Sequence, residues 1–267
     1  PSYDNNLFVD GISGADYKRL LEDPSRPLYS RATQGVYPPA STVKPFIAVA
    51  AQTEGVINQS TTIFDPGYWM LPNTTKRFRD WKKAGHGYTD LNKAITESSD
   101  TYFYQVAYNL GIDRLSGWMK RFGFGMPTGI EISEEATANM PSKEWKQKRY
   151  KRQWVQGDTI SVGIGQGYWT ATPLQVAKAT AILVNNGKVN TPHLMKSVEG
   201  AKVELYQDPR LYDDISEPKQ AYWDAAKRGM FNVVNSAAGT GRKAFVGANY
   251  HVAGKSGTAQ VFSLKEN

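Results

Sequence analysis

Apolar residues recur along the chain in short helical bursts, separated by polar stretches rich in glycine and proline. The most continuous apolar run, residues 43–51, follows Pro38, Pro39 and Ser41 and predicts a buried helix from 41 to about 54, with Gly55 as its stop. Pro45 is tolerated only in a first helical turn, which puts Ser41 at the start of that helix. Before it, a short helical pattern ends near Leu21 and residues 23–27 form a loop. Residues 60–88 hold Thr, Pro, Gly and aromatics in the manner of loop and short strand. Asp90 caps a helix through Thr96, and a second helical pattern runs from Ser98-Ser99-Asp100 to Leu110, stopped by Gly111. Asp113 caps a third over 114–122, and Thr172-Pro173-Leu174-Gln175 is a capping box opening a helix to about Asn185. Residues 196–220 are polar and read as a peripheral excursion, 220–234 as a last helix and 250–262 as a strand. Helices dominate the middle and strands the ends. The fold class is therefore α+β, with a sheet flanked by helices.

Composition narrows the picture a little. The chain has 267 residues, 40% of them hydrophobic, enough for one large domain or two small ones. There is no Cys, which excludes disulfide and thiolate chemistry. No apolar run approaches the roughly 18 residues of a membrane span, and no signal peptide opens the chain. The start at Pro1 and the stop at Asn267, just past a strand-like stretch, suggest a piece of a longer protein with a membrane anchor outside it.

The net charge of +7 is concentrated: residues 142–154 hold six cations against Glu144. Trp145, Tyr150 and Trp154 interleave with them, as in a single-strand nucleic-acid binder. The favoured reading is a solvated loop or helix face with its aromatics packed inward, and a surface meeting an anionic lipid or polymer lies between the two. Residues 163–167 lack the G-x-G-x-x-G spacing and read as a tight turn feeding the Thr172 helix. His193 and His251 read as structural or solvated, since no His sits in a Ser/His/Asp arrangement.

The candidate chemistry begins at Ser41-Thr42-Val43-Lys44. A Ser and a Lys three apart share one helix face, and the lysine can take the serine proton if burial or a second cation disfavours its charge. Alone, this is as easily a capping serine and a solvated lysine. Two later stretches change that: Ser98-Ser99-Asp100, 57 residues on, at a break between helical patterns, and Lys255-Ser256-Gly257-Thr258, 157 residues further, in the terminal strand. Gly257 would let a substrate backbone approach closely.

In the order S-x-x-K, S-x-[ND], K-[ST]-G, these are motifs of penicillin-binding proteins and class A β-lactamases. With residues 31–35, 163–167, 172–175 and 255–260, and with Trp145-Lys146 and Gly157-Asp158, the chain resembles the transpeptidase domain of class B penicillin-binding proteins, elongation branch, over nearly all of 1–267. The resemblance implies an antiparallel sheet flanked by helices with a mostly helical subdomain, and a domain incomplete at both ends. It implies a D,D-transpeptidase that cross-links peptidoglycan stem peptides through an acyl-enzyme on Ser41. Lys44 would be general base, Ser98 the proton carrier to the leaving amine, and Lys255 a source of positive potential. Asp100, Ser256, Gly257 and Thr258 would contact substrate. β-Lactams would be trapped on Ser41. No cofactor is required, nucleic acid is not a partner, and a RodA-type glycosyltransferase of the elongation machinery is. The domain would face the periplasm from the inner membrane.

Asp100 stands where many relatives carry Asn, and an ionised Asp cannot donate a hydrogen bond and favours a charged Lys44. Ala40 stands where Gly is common, a change expected to be neutral. Asp65, Asp80 and His86 carry zinc-type donors. Ion pairing with nearby cations is the plainer reading. Some elongation-branch relatives bind zinc at such positions with a Cys as fourth ligand, where this chain has Ser99, which implies at most a weakened metal site. Two rivals share the motifs. A β-lactamase needs a water-activating acid, and Glu135 with Asn139 forms an E-x-x-x-N pattern, although the gap from Ser98 to Lys255 is long for that family. A β-lactam sensor would acylate without cross-linking.

Overall fold

A computed structural model describes residues 2–196 and 212–259. Its core forms where the apolar run of 43–51 demanded it. Helix α2 (Lys44–Thr53) is buried from Lys44 to Gln52, with Pro45 in its first turn. Against it lie α4 (Asp100–Arg121) and α8 (Gln220–Asn235), and α3 (Leu91–Thr96) closes the group against α8. Close packing of α3 on α8 depends on Gly229, since a Cβ there would lie 2.8 Å from Ile95.

The caps predicted at Asp90 and Thr172 are in place, and Ser99 caps α4; Asp113, predicted to cap the segment over 114–122, lies inside the helix with its carboxylate on Lys143. The Asp90 side chain accepts the Lys93 N–H at 2.8 Å, and the Ser99 hydroxyl accepts the Tyr102 N–H at 3.2 Å. Thr172 and Gln175 form a reciprocal capping box on α7 (Pro173–Val184). Gly111 breaks α4 with φ +74°, so that element is two helical segments end to end, as the glycine stop predicts. A first helix, α1, spans Gly14–Glu22.

Helix α5 (Lys143–Tyr150), capped by Ser142, settles the cationic stretch as a helix rather than a loop, while α6 (Gln156–Val162), too short to show a period, lies outside the sequence reading.

The stretch 60–88 folds into two antiparallel pairs: β1 (Ile63–Asp65) on β4 (Gly87–Thr89), and β2 (Tyr68–Met70) on β3 (Arg77–Arg79). Both lie against the first half of α4. The α+β class stands, with these two small sheets beside the helices. The strand predicted over 250–262 is different. Its described part, 250–259, forms no ladder among the described residues, and 260–262 lie outside them. A strand exists through pairing, and this segment instead leans on α8: the Gly254 N–H donates to the Met230 carbonyl at 3.1 Å, and Asn235 Nδ2 to the Val252 carbonyl at 2.8 Å.

Of the excursion at 196–220, residues 197–211 lie outside the described residues. The remainder is anchored, with Ile215 buried and its N–H donated to the Gly187 carbonyl at 2.9 Å. No helix among the described residues is long and apolar enough to cross a membrane.

Candidate active site

Ser41 lies in a 3-10 turn, Ala40–Val43, that runs directly into α2. The turn is held from behind: the Ala40 N–H donates to the Gly165 carbonyl at 2.8 Å, and a Cβ on Gly165 would lie 2.2 Å from the Ala40 carbonyl oxygen. Residues 163–167 are thus more than a turn feeding α7; they buttress the serine turn. Ala40 has φ +50°, a conformation glycine adopts freely and an L-residue holds at a cost of about 1 kcal/mol. The exchange of Gly for Ala is not neutral in the backbone. Ser41 is half-buried, and its hydroxyl makes no hydrogen bond among the described residues, so it is free to act rather than spent as a cap.

One turn along, Lys44 is fully buried. Its Nζ donates to the Ser98 carbonyl at 2.9 Å, lies 3.3 Å from Ser98 Oγ and pairs with Asp100 Oδ1 at 2.7 Å. The first two motifs, far apart in sequence, therefore meet in one ion-paired knot. Ser98 has φ +60°, a strained position held by the contacts around it.

Behind the knot is a closed polar cluster. Asp80 Oδ2 accepts the N–H groups of Asp100 and Thr101 at 2.7 and 2.9 Å, which fixes the backbone that carries Asp100. The Ser99 hydroxyl donates to Asp65 Oδ2 at 2.8 Å, and His86 Nδ1 lies 2.7 Å from the same oxygen. Burial acts to raise the Asp65 carboxyl, but hydrogen bonds from His86, the Gly67 N–H and Ser99 outweigh it and hold the group well below the usual range. Asp80 is pushed the other way, first by burial and then by the charge of Asp100, against the pull of the Thr101 N–H.

Asp65, Asp80 and His86 bring donor atoms within 4.8 Å of one another, all buried. This donor set fits three positions of a zinc-type site. The fourth neighbour, Ser99, offers a neutral hydroxyl already engaged with the carboxylates. Lys82 of this region pairs with Glu97 at 3.6 Å, and Asp65 and Asp80 are buried.

The third motif closes the other side. Lys255 Nζ donates to the Ser256 carbonyl at 2.9 Å. Burial, then the charge of Lys44, pushes Lys255 down to about 7, with Asp100 opposing. The Ser256 hydroxyl lies 2.6 Å from Thr240 Oγ1, and Gln166 Nε2 reaches the Thr258 carbonyl at 3.5 Å. A Cβ on Gly257 would lie 2.9 Å from the Thr42 methyl, so this glycine admits the serine turn itself.

The structure thus gathers Lys44, Ser98 and Asp100 by direct contact and sets Lys255 within reach of their charge. Gly165, Gln166 and Thr240 escaped the sequence reading as site residues. Asp80 is named there as a candidate metal ligand or a counter-ion of five cations, and its grip on the N–H groups of Asp100 and Thr101 is what that reading lacks. Glu135 and Asn139 are spent elsewhere: Glu135 accepts the Thr128 N–H at 2.9 Å, and Asn139 Nδ2 donates to the Tyr168 carbonyl at 2.7 Å.

Residues 1–267 match the family model described as the penicillin-binding protein transpeptidase domain. Over its full length the chain is 84% identical to the peptidoglycan D,D-transpeptidase MrdA of Haemophilus influenzae and covers 41% of it. Among solved structures it is similar to Pseudomonas aeruginosa PBP2 in complex with WCK 5153, with a TM-score of 0.92 and 48% identity over 98% of this chain and 56% of that one. It is also similar to the PBP2 of a complex with MreC from Helicobacter pylori, with a TM-score of 0.84 and 36% identity over 98% of this chain and 46% of that one. The chain spans about two fifths of the length of the curated relatives it matches.

Proposed function

The chain belongs to the penicillin-binding protein transpeptidase family, and from that premise we propose that it is the catalytic part of a peptidoglycan D,D-transpeptidase acting in cell elongation. The observation that carries the reading is the buried Lys44 Nζ, one turn behind a free Ser41 and within 3.3 Å of Ser98 Oγ.

Ser41 Oγ attacks the carbonyl of the penultimate D-Ala in a stem peptide while its proton passes to Lys44 Nζ. To act as base Lys44 takes part in its neutral form, with its Nζ held beside Asp100 Oδ1 and Ser98 Oγ. The tetrahedral oxyanion is held by the N–H groups of Ser41 and Thr258, an arrangement typically worth about 3 kcal/mol of barrier. The C–N bond then breaks, Ser98 relays a proton to the departing amine, and D-Ala leaves Ser41 as an ester. The amine of a second stem attacks that ester, the new amide is the cross-link, and the hydroxyl regains its proton. Lys255, Ser256 and Thr258 hold the terminal carboxylate. Gly257 keeps that wall close to the serine turn, and Asp100 sets the charge of Lys44 rather than donating to substrate.

The chemistry needs no cofactor. As a second reading for the Asp65–Asp80–His86 cluster we propose a weak zinc site, in which those three side chains would hold the ion and Ser99 would not. Its contribution is structural, bracing the backbone of Ser99 to Thr101 that Asp80 already grips. Metal analysis of protein purified without chelator tests it, and absence of zinc ends it. For location and partners, we propose the periplasmic face of the inner membrane, within a longer anchored protein, beside a RodA-type glycosyltransferase. The MreC complex of the Helicobacter pylori relative supports an elongation assembly.

The test is D-Ala release with dimer formation from pentapeptide stems, beside the fate of bound penicillin. Transpeptidation with slow drug release is expected. Penicillin turnover above about 1 s⁻¹, an ordinary enzyme rate, would instead mark a β-lactamase. Acylation without D-Ala release would mark a sensor.

A further inference from the structure

We infer that a basic, aromatic surface running from the β2–β3 hairpin to α5 holds the glycan strand that carries the stem peptides, an inference that rests on the transpeptidase reading of the same cleft. Of the aromatics in residues 145–168, Trp154 packs against the core as expected. Trp145, Tyr150 and Tyr168 instead pack on one another: the Trp145 ring centroid lies 5.6 Å from that of Tyr150 and 5.2 Å from that of Tyr168, and Tyr150 and Tyr168 are 5.5 Å apart. Tyr150 is 47% exposed and the others are half-buried. Lys146 is buried beneath them, ion-paired with Asp158, with its Nζ 5.7 Å from the Tyr168 centroid. It props the cluster from below. The cations that face outward, Lys148, Arg149, Lys151 and Arg152, are exposed and form no ion pair among the described residues.

A second patch of the same character adjoins the first. A cavity of ≈ 700 Å³ opens on the β2–β3 hairpin, lined by Tyr68, Lys76, Arg77, Arg79 and Lys83. Arg77 lies over the Tyr68 ring, 4.7 Å from its centroid. The two patches meet at Gly157, where a Cβ would lie 3.6 Å from Lys76 Nζ and 3.7 Å from the Phe78 ring. The surface is also continuous with the cleft. Tyr168 belongs to the segment whose Gly165 carbonyl accepts the Ala40 N–H beside the nucleophile, and whose Gln166 reaches Thr258. At its far edge, Asp80 lines the cavity and grips the Asp100 N–H.

The chemistry of this surface selects its occupant. Flat aromatic faces match the C–H faces of pyranose rings, and the exposed cations Lys148, Arg149, Lys151 and Arg152 match carboxylates regularly spaced along a polymer. Single-stranded nucleic acid would also suit rings and cations. The strand is favoured because the surface leads into the cleft that its stem peptides must enter.

The test is direct binding of the full chain to uncross-linked glycan strands bearing pentapeptide stems, with N-acetylglucosamine oligomers, free pentapeptide and single-stranded RNA as comparators. Strand affinity reports this inference, and penicillin acylation of the wild type separately reports the transpeptidase reading. Removing one exposed ring by Tyr150→Ala is expected to lower strand affinity about fivefold, on the scale of roughly 1 kcal/mol for an aromatic contact. Arg149→Glu with Lys151→Glu is expected to lower it further and to flatten its salt dependence, while free pentapeptide binding shifts less. Strand affinity equal to wild type in both variants overturns the inference. So does a preference for RNA over the strands, or binding by free pentapeptide as tight as by the strand.

Discussion

The two walls of the cleft are built in opposite ways. On one wall, Ser41, Lys44, Ser98 and Asp100 stand at the starts of α2 and α4, against the hydrophobic core, with Lys44 fully buried and three acceptor atoms of Ser98 and Asp100 around its Nζ. A second layer, Asp80 with Asp65, His86 and Ser99, fixes the backbone of that wall. On the other, Lys255 to Thr258 has no sheet partner among the described residues and is tied by a few bonds to α8, Thr240 and Gln166. The first wall is preorganised, as an acyl-transfer nucleophile requires. The second contributes a cation whose charge is sensitive to its surroundings, since burial and Lys44 bring Lys255 down to about 7. On the mechanism proposed above, the chemistry belongs to the α2–α4 side and recognition of the substrate carboxylate to the adjustable side.

Removing the base from the fixed wall has the largest effect after loss of the nucleophile. Lys44→Ala is expected to slow penicillin acylation by about a thousandfold with folding retained, and a loss under about tenfold (~1.4 kcal/mol) would show that Lys44 is not the essential base. Asp80→Ala strips the acceptor from the buried N–H groups of Asp100 and Thr101. A stability loss of about 2–4 kcal/mol is expected by denaturant titration, with slower acylation, because each orphaned buried donor costs about 1–3 kcal/mol. Stability within about 0.5 kcal/mol of wild type would mean that the second layer is not what holds this wall.

Asp100→Asn takes away the anion paired with Lys44. The titration of Lys255, followed by NMR of its ε-methylene group, is expected to move to lower pH, because the Asp100 charge is what opposes the lowering of that lysine. A titration moving to higher pH would contradict the role given to Asp100. The smallest effect belongs to the adjustable wall. Lys255 has its pKa lowered on folding, so the unfolded chain binds the extra proton between about pH 7 and the ordinary lysine value of about 10.4. Folding is therefore opposed most at low pH, and the opposition fades as pH rises through that window. Lys255→Met is expected to gain stability relative to wild type at pH 6 and to lose that gain by pH 10. A gain that grows with pH would show that burial does not disfavour the charge.

The helical half was legible because its signals are local. Capping residues at Asp90 and Thr172, glycine stops at Gly55 and Gly111 and the run 43–51 each specify an element within a few residues. The terminal strand was not, because β-like composition at 250–262 says nothing about whether a partner is in place. The three motifs were legible as spacing, and Asp65, Asp80 and His86 as a set of zinc-type donors, but not the support that this second layer gives to the wall. Asp80 reads as a metal ligand or a counter-ion for its cationic neighbours until tertiary structure turns its carboxylate inward to two N–H groups of α4. Gly165 reads as a turn until its absent side chain is seen to admit the Ala40 carbonyl.

All of this rests on Ser41 as the atom that reacts. The direct measurement is covalent labelling with a fluorescent penicillin, wild type beside Ser41→Ala, with thermal unfolding to confirm that both are folded. One label per wild-type chain, mapped to the peptide containing Ser41, and none in the variant is the expected result. A folded Ser41→Ala that still takes up label would contradict the assignment of the nucleophile and the account built on it.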